Sequence, residues 1–127
     1  MSHTVKIQVQ FKTAELQQLK KAFTNLGWNV RDNAEAREYS TTARYPFVAV
    51  NPATDRLAFD IGFKPNGENL DLFSDFYGGS IEAQLGKEMC RLKQEFAACV
   101  IEDEFPNSNI TREQDEKGNL VLEVTQW

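Results

Sequence analysis

FDIGFKPNGENLDLFSDFYGG, residues Phe59 to Gly79, decides how the rest of the chain is read. Its first arm alternates Leu57, Phe59, Ile61 and Phe63 with Ala58, Asp60, Gly62 and Lys64. Its second alternates Leu70, Leu72 and Phe76 with Asp71, Phe73 and Asp75, and Ser74 falls on the apolar side. A period of two on both sides of Pro65-Asn66-Gly67-Glu68 predicts a β-hairpin with one buried face. Because the side-chain period is two, the parity of the loop sets which residues meet. A three-residue loop would place Ile61 across from Asp71 and spoil both faces. A two- or four-residue loop pairs Phe63 with Leu70 and Ile61 with Leu72, and a proline just before Asn-Gly fits the four-residue form. In that register Asp60 sits opposite Phe73, with Asp71 and Asp75 as diagonal neighbours roughly 7–8 Å away at the backbone.

The flanking segments extend this into a mixed domain. Val5, Ile7, Val9 and Phe11 alternate with polar residues, as a half-buried strand does. Thr13 is placed to cap a helix whose apolar face is Leu16, Leu19, Phe23 and Leu26, and Gly27 is placed to end it in a left-handed position. Trp28–Val30 reads as a short strand. RDNAEAREYSTTARY, Arg31 to Tyr45, has no period and reads as a long irregular connection. Phe47–Val50 is a short strand, and Asn51 to Asp55 a turn. Ser80 is placed to cap a second helix with a stripe of Ile81, Leu85, Met89, Leu92, Phe96, Cys99 and Val100. Gly86 inside that stripe costs on the order of 1 kcal/mol against alanine and marks a close approach or a kink. A last hairpin runs Ile110–Gln114 and Leu120–Thr125 around Glu116-Lys117-Gly118-Asn119, with Leu120, Leu122 and Val124 inward. Hairpins plus two amphipathic helices predict a single α+β domain over residues 1–127. The expected form is an antiparallel sheet with both helices on one face, of the ferredoxin-like kind.

Composition narrows the function. The chain has 127 residues, enough for one core, with 41% hydrophobic and 26% charged residues. No apolar run approaches the ~20 residues of a membrane span, and the opening MSHTVKIQVQF alternates as a strand rather than running apolar as a signal peptide. A cytosolic setting, without membrane binding, is expected. The net charge of −5, with Lys20-Lys21 the densest basic run, argues against nucleic acid. The single histidine, His3, leaves little for acid–base or nucleophilic catalysis, and YGGS at Tyr77–Ser80 lacks the spacing and lysine of a phosphate loop. Cys90 and Cys99, nine residues apart on one helix, point to opposite sides and cannot bridge or hold zinc, so both are read as free thiols.

Three blocks of the chain carry a family likeness. MSHTVKIQVQFKTAELQQLKKAFTNLGWNV opens it, FDIGFKPNGENLDLFSDFYG lies at its centre, and EKGNLVLEVTQW closes it; AREYS at Ala36–Ser40 fits more loosely. In the same order, these resemble the cyanobacterial and plastid family called chloroplast hypothetical reading frame thirty-five, a domain of unknown function. The family usually carries a Gln-Arg-Tyr-Ala-Tyr-like run where this chain has Lys87-Glu88-Met89-Cys90-Arg91. The resemblance implies a cyanobacterial, cyanophage or plastid setting, with the cytosol or the plastid stroma as location. It brings no activity with it.

The aspartates are then weighed as candidates. A pleated face offers calcium too few converging oxygens, and an outer sheet face gives paired carboxylates no desolvated cleft. A solvated face that discourages sheet association is the simplest reading. The functional alternative is partner binding by Asp60, Asp71, Phe73 and Asp75, with Phe73 as an anchor inside an acidic rim that meets a basic protein surface. The leading expectation is a soluble non-enzymatic interaction or accessory protein with a protein partner and no cofactor. The alternative is a small-molecule or metal-binding protein, or an enzyme, that uses these aspartates with the Arg31–Tyr45 segment. A redox role for Cys90 ranks third, since it needs a depressed thiol pKa.

Overall fold

A computed structural model describes residues 5–76, 78–117 and 120–125, with side chains from Phe11 onward. The expectations placed on His3, on Tyr77, on the Gly118-Asn119 part of the last turn and on Trp127 lie outside the described residues. So does the inward facing of Val5, Ile7 and Val9. Strand β1 (Val5–Lys12) leads through a 3-10 turn at Thr13–Glu15 into helix α1 (Leu16–Asn25). Four strands follow: β2 (Asn29–Glu38), β3 (Thr41–Val50), β4 (Ile61–Asn66) and β5 (Asn69–Ser74). Helices α2 (Ser80–Leu85) and α3 (Cys90–Glu104) come next, and strands β6 (Asn109–Gln114) and β7 (Leu120–Thr125) form a final hairpin.

The fold is α+β. A five-stranded sheet has the order β1-β5-β4-β3-β2, with every pairing antiparallel, and β6–β7 form a separate two-stranded sheet. The ferredoxin-like arrangement is not found. That fold needs a split βαβ connection, whereas here β2 to β5 run as a meander and β1 closes on β5. The core lies between the sheet and the helices. Phe11, Ala49, Ile61, Phe63, Leu70 and Leu72 of the sheet meet Leu19, Phe23, Ile81, Leu85, Leu92 and Cys99 of the helices. Phe63 is sandwiched, its ring stacked 5.8 Å from Phe23 and 5.4 Å from Phe47.

Helix α1 ends as its sequence predicts. Gly27 takes φ +89, the Trp28 amide donates to Phe23 O at 2.9 Å, and the Gly27 amide donates to Thr24 O at 3.0 Å. This is the paired bonding of a Schellman cap, sealed by the Phe23–Trp28 ring contact at 5.7 Å. Thr13, in contrast, does not cap the helix. Its hydroxyl donates to Gly67 O and Asn69 O, and its amide to Glu68 O, so it ties the end of β1 to the turn between β4 and β5.

The central hairpin has even loop parity, and Phe59, Ile61, Phe63, Leu70 and Leu72 are all buried. The register is two residues away from the expected one. Phe63 pairs with Leu72 and Pro65 with Leu70, leaving a two-residue turn at Gly67-Glu68. Gly67 takes φ +62 while Glu68 stays negative, the φ pattern of a type II′ turn, which matches strand twist and competes out the wider loop. Gly62, not Asp60, is therefore opposite Phe73, and Asp71 faces Lys64. Phe76 lies beyond β5 and is exposed.

The second helix is broken. Gly86 has φ +83 and ψ 168, a backbone region essentially closed to other residues, and Glu88 and Met89 both have positive φ. The glycine is thus a hinge point between α2 and α3 rather than a weak residue inside one helix. The apolar stripe survives the break: Ile81, Leu85, Met89, Leu92 and Cys99 are buried. Ser80 is the first helical residue and not the cap; its hydroxyl accepts from Asn51 Nδ2 at 3.2 Å. In the last hairpin Leu120 and Leu122 are half-buried, but Val124 is exposed, against the inward placing expected for it.

Candidate functional site

Arg31 to Tyr45 is not an irregular loop. It forms most of a ten-residue hairpin pair, β2 with β3, joined at Tyr39-Ser40. The ladder is interrupted where Asn33, at φ +45, meets Pro46, which has no amide to give. Past that interruption the hairpin lies over the outer face of the sheet. A Cβ on Gly62 would meet the Tyr45 ring at 2.1 Å, so the ring rests directly on the glycine backbone. The same ring stacks on Phe73 at 5.4 Å and 18°, and Lys64 Nζ sits 5.2 Å from the centre of Phe73. The Tyr45 hydroxyl donates to Glu38 at 2.8 Å, and burial, aided by that carboxylate, raises its pKa.

Asp60 is the pin of this arrangement. Its carboxylate accepts from the Arg37 amide at 2.7 Å, from Arg37 Nε at 3.0 Å, from Arg37 Nη2 at 2.8 Å and from the Asn51 amide at 2.8 Å. A fork of this kind is among the stronger hydrogen-bonded pairs a protein makes. The hydrogen bonds to Asp60 hold the Arg37 guanidinium above its ordinary pKa, against the opposing effect of its partial burial. The Asp60 amide donates back to Arg37 O, and Ser74 Oγ donates to Asp60 O. Asn51 extends the network: its Nδ2 donates to Phe59 O, and its Oδ1 accepts from the Ala53 amide. Asp60, just before β4, thereby joins β2 and the 51–53 turn through its carboxylate and β5 through its main-chain carbonyl.

The open acidic rim expected around Phe73 is corrected by these contacts. Asp60, Asp71 and Asp75 are 2%, 8% and 1% exposed, and Phe73 is half-buried under Tyr45. Asp71 accepts from Asn66 Nδ2 at 3.1 Å. The reading as a solvated face fails for the same reason, since the chain covers that face with its own hairpin. Asp60 holds the cover down through Arg37, whereas Asp71 is bonded within its own hairpin. Among the described residues no group of three or more His, Cys, Asp or Glu could hold a metal ion. Cys90 is exposed and Cys99 buried, and both are free. Burial, with the Glu95 charge adding to it, pushes the Cys99 thiol pKa up.

What the folded-over hairpin creates is a cleft at its tip. Tyr39, Ser40, Arg56, Leu57 and Phe59 line a space of about 370 Å³. Tyr39 meets Phe59 edge-on at 6.5 Å and is 44% exposed. Leu57 is held by its amide, which donates to Asp55 Oδ1 at 2.9 Å, and by close packing against Gly78. Arg56 is exposed and makes no ion pair among the described residues. Apolar walls with one cation at the edge suit the binding of a side chain or small ligand, and the cleft holds no nucleophile–base pair. Of these residues, only Tyr39 and Ser40 fall in a segment expected to take part in function, while Leu57 and Phe59 are expected as the apolar side of a strand. The signal of that segment was an unassigned fifteen-residue stretch containing one aromatic pair, Tyr39 and Tyr45, and three arginines.

No family model, curated protein or solved structure matches the chain.

Proposed function

We propose that the chain is a non-catalytic binding module, an accessory protein that takes a partner protein at the cleft formed by Tyr39, Ser40, Arg56, Leu57 and Phe59. The observation that carries this reading is the cleft's construction. Exposed Tyr39 stands on a hairpin tip that the Arg37–Asp60 network holds in place, and across the cleft Arg56, on the connection from β3 to β4, makes no ion pair among the described residues. Pre-ordering of this kind lowers the entropic cost of association, and Tyr and Arg are favoured anchors of protein interfaces. The resemblance to a family of unknown function fits an accessory role and adds no reaction to it. Binding through the acidic hairpin loses its support, because Asp60 is already committed to Arg37 and Phe73 to Tyr45.

The test is parallel affinity capture with the natural chain and with a Tyr39→Ala, Arg56→Glu variant. A partner bound directly by the natural chain should be lost by the variant while the melting temperature stays within a few degrees. Equal capture by both chains would overturn the assignment of the cleft.

A further inference from the structure

We propose that the β6–β7 hairpin is an arm that opens as a unit, latched onto α3 by Arg112, and that its opening uncovers the seam between α1 and α3 at Cys99. No residue of β6 or β7 belongs to the apolar core or to the half-buried residues packed against it. Within the strands only Ile110, Leu120 and Leu122 are half-buried, and every other described residue is exposed. A two-stranded hairpin with so little apolar cover is not stable by itself in water. Its position therefore depends on what fastens it to the body.

The fastening is polar and concentrated. Arg112 Nη1 donates to Glu95 Oε1, while Arg112 Nε and Nη2 donate to the two oxygens of Glu102 at 3.1 and 2.7 Å. Glu95 and Glu102 lie two turns apart on one side of α3, so a single guanidinium spans that stretch of helix. A second tie runs from the Leu120 amide to Gln94 Oε1 at 2.7 Å. Beneath the latch, Asn25 Nδ2 of α1 donates to Glu95 Oε1 at 2.8 Å and lies 3.7 Å from Cys99 Sγ. Arg112 acts on that thiol too, opposing the burial and the Glu95 charge that raise its pKa. Cys99 is fully buried, and Glu95, one turn before it on α3, takes both Asn25 of α1 and Arg112 of the arm on the same oxygen. Regions with few buried apolar contacts open at lower free energy than the core does. The ion pairs are partly exposed, so salt weakens them.

The experiment uses the full chain carrying Cys90→Ser, which leaves Cys99 as its one thiol, and follows alkylation of Cys99 together with amide hydrogen exchange. Labelling should proceed by a local route, nearly insensitive to low urea, while amides of β6 and β7 exchange ahead of those of β3 and β4. Arg112→Gln should raise the labelling rate roughly ten- to hundredfold, the effect of losing hydrogen bonds to charged groups, with the main melting transition retained. Glu102→Gln should raise it by less, since Glu95 still holds the arginine, and high salt should act in the same direction. Labelling that follows global unfolding at every urea concentration overturns the proposal. So does an Arg112→Gln chain that labels at the original rate, or one that loses its cooperative transition altogether, because the hairpin would then be part of one folding unit with the sheet.

Discussion

Gly62 carries the ring of Tyr45 on its bare backbone, and no other residue type leaves room for it. A Cβ there would stand 2.1 Å from Tyr45 Cδ2 and 2.4 Å from Cγ. Gly62→Ala should destabilise the fold by about 1–3 kcal/mol, the usual range for overpacking. Combined with Tyr45→Ala the loss should be markedly less than additive, because the clash disappears with the ring. Urea melts of the single and double variants measure both quantities.

Removal of the pin should be more damaging. Asp60→Ala leaves the Arg37 fork and the Asn51 amide without their acceptor. The expected loss is about 2–4 kcal/mol, somewhat under the range for breaking a fully buried pair, since Arg37 is partly exposed. Arg37→Lys keeps the charge but not the fork and should still lose about 1–2 kcal/mol. Equal melting of the lysine variant and the natural chain would show that charge alone suffices.

Phe73→Ala removes the other half of the Tyr45 stack. A half-buried aromatic of this kind should cost about 2–3 kcal/mol, below the range for a fully buried phenylalanine. A melting temperature unchanged by the substitution would mean that the ring stands free of the hairpin in solution.

Acid should loosen the last hairpin before it loosens the sheet. The hydrogen bond from Arg112 holds Glu102 below the ordinary carboxylate pKa. A depressed folded-state value contributes stability that is fully present above the unfolded value of about 4.3 and is lost as pH falls through the folded value. Amide signals of β6 and β7 should therefore shift below about pH 4 while those of β4 hold. In Glu102→Gln that early step should shrink.

The central hairpin was legible because its apolar residues alternate and its turn carries Asn-Gly. Loop parity followed from sequence, whereas the turn's position did not: it is centred between Gly67 and Glu68, one residue beyond the Asn66-Gly67 centre expected, and that moves the register by two. The end of α1 was legible because one glycine sits one residue before Trp28, where a left-handed cap requires it. The β2–β3 hairpin was hidden for two reasons. Its strands are rich in charged residues of low strand preference, and its turn, Tyr39-Ser40, lacks the usual glycine or asparagine, with Ser40 taking φ +59 instead. That omission hid the site as well. Without the hairpin over them, Asp60 and Phe73 read as exposed, and the contacts that bury both come from Arg37 and Tyr45.

The bonds of Thr13 to Gly67 and Asn69 span 54 and 56 residues. In order of synthesis β1 precedes the other strands of its sheet, and β5, its neighbour there among the described residues, emerges from the ribosome after β2, β3 and β4. An alternating strand therefore waits without a partner while β2, β3 and β4 can already assemble by local steps. High sequence separation of contacts slows folding, and unpaired strands of nascent chains are the ones that aggregate or engage chaperones. Closing the sheet edge with β1 should therefore set the pace of refolding, and a rearranged chain with β1 moved to follow β5 directly should refold faster than the natural order.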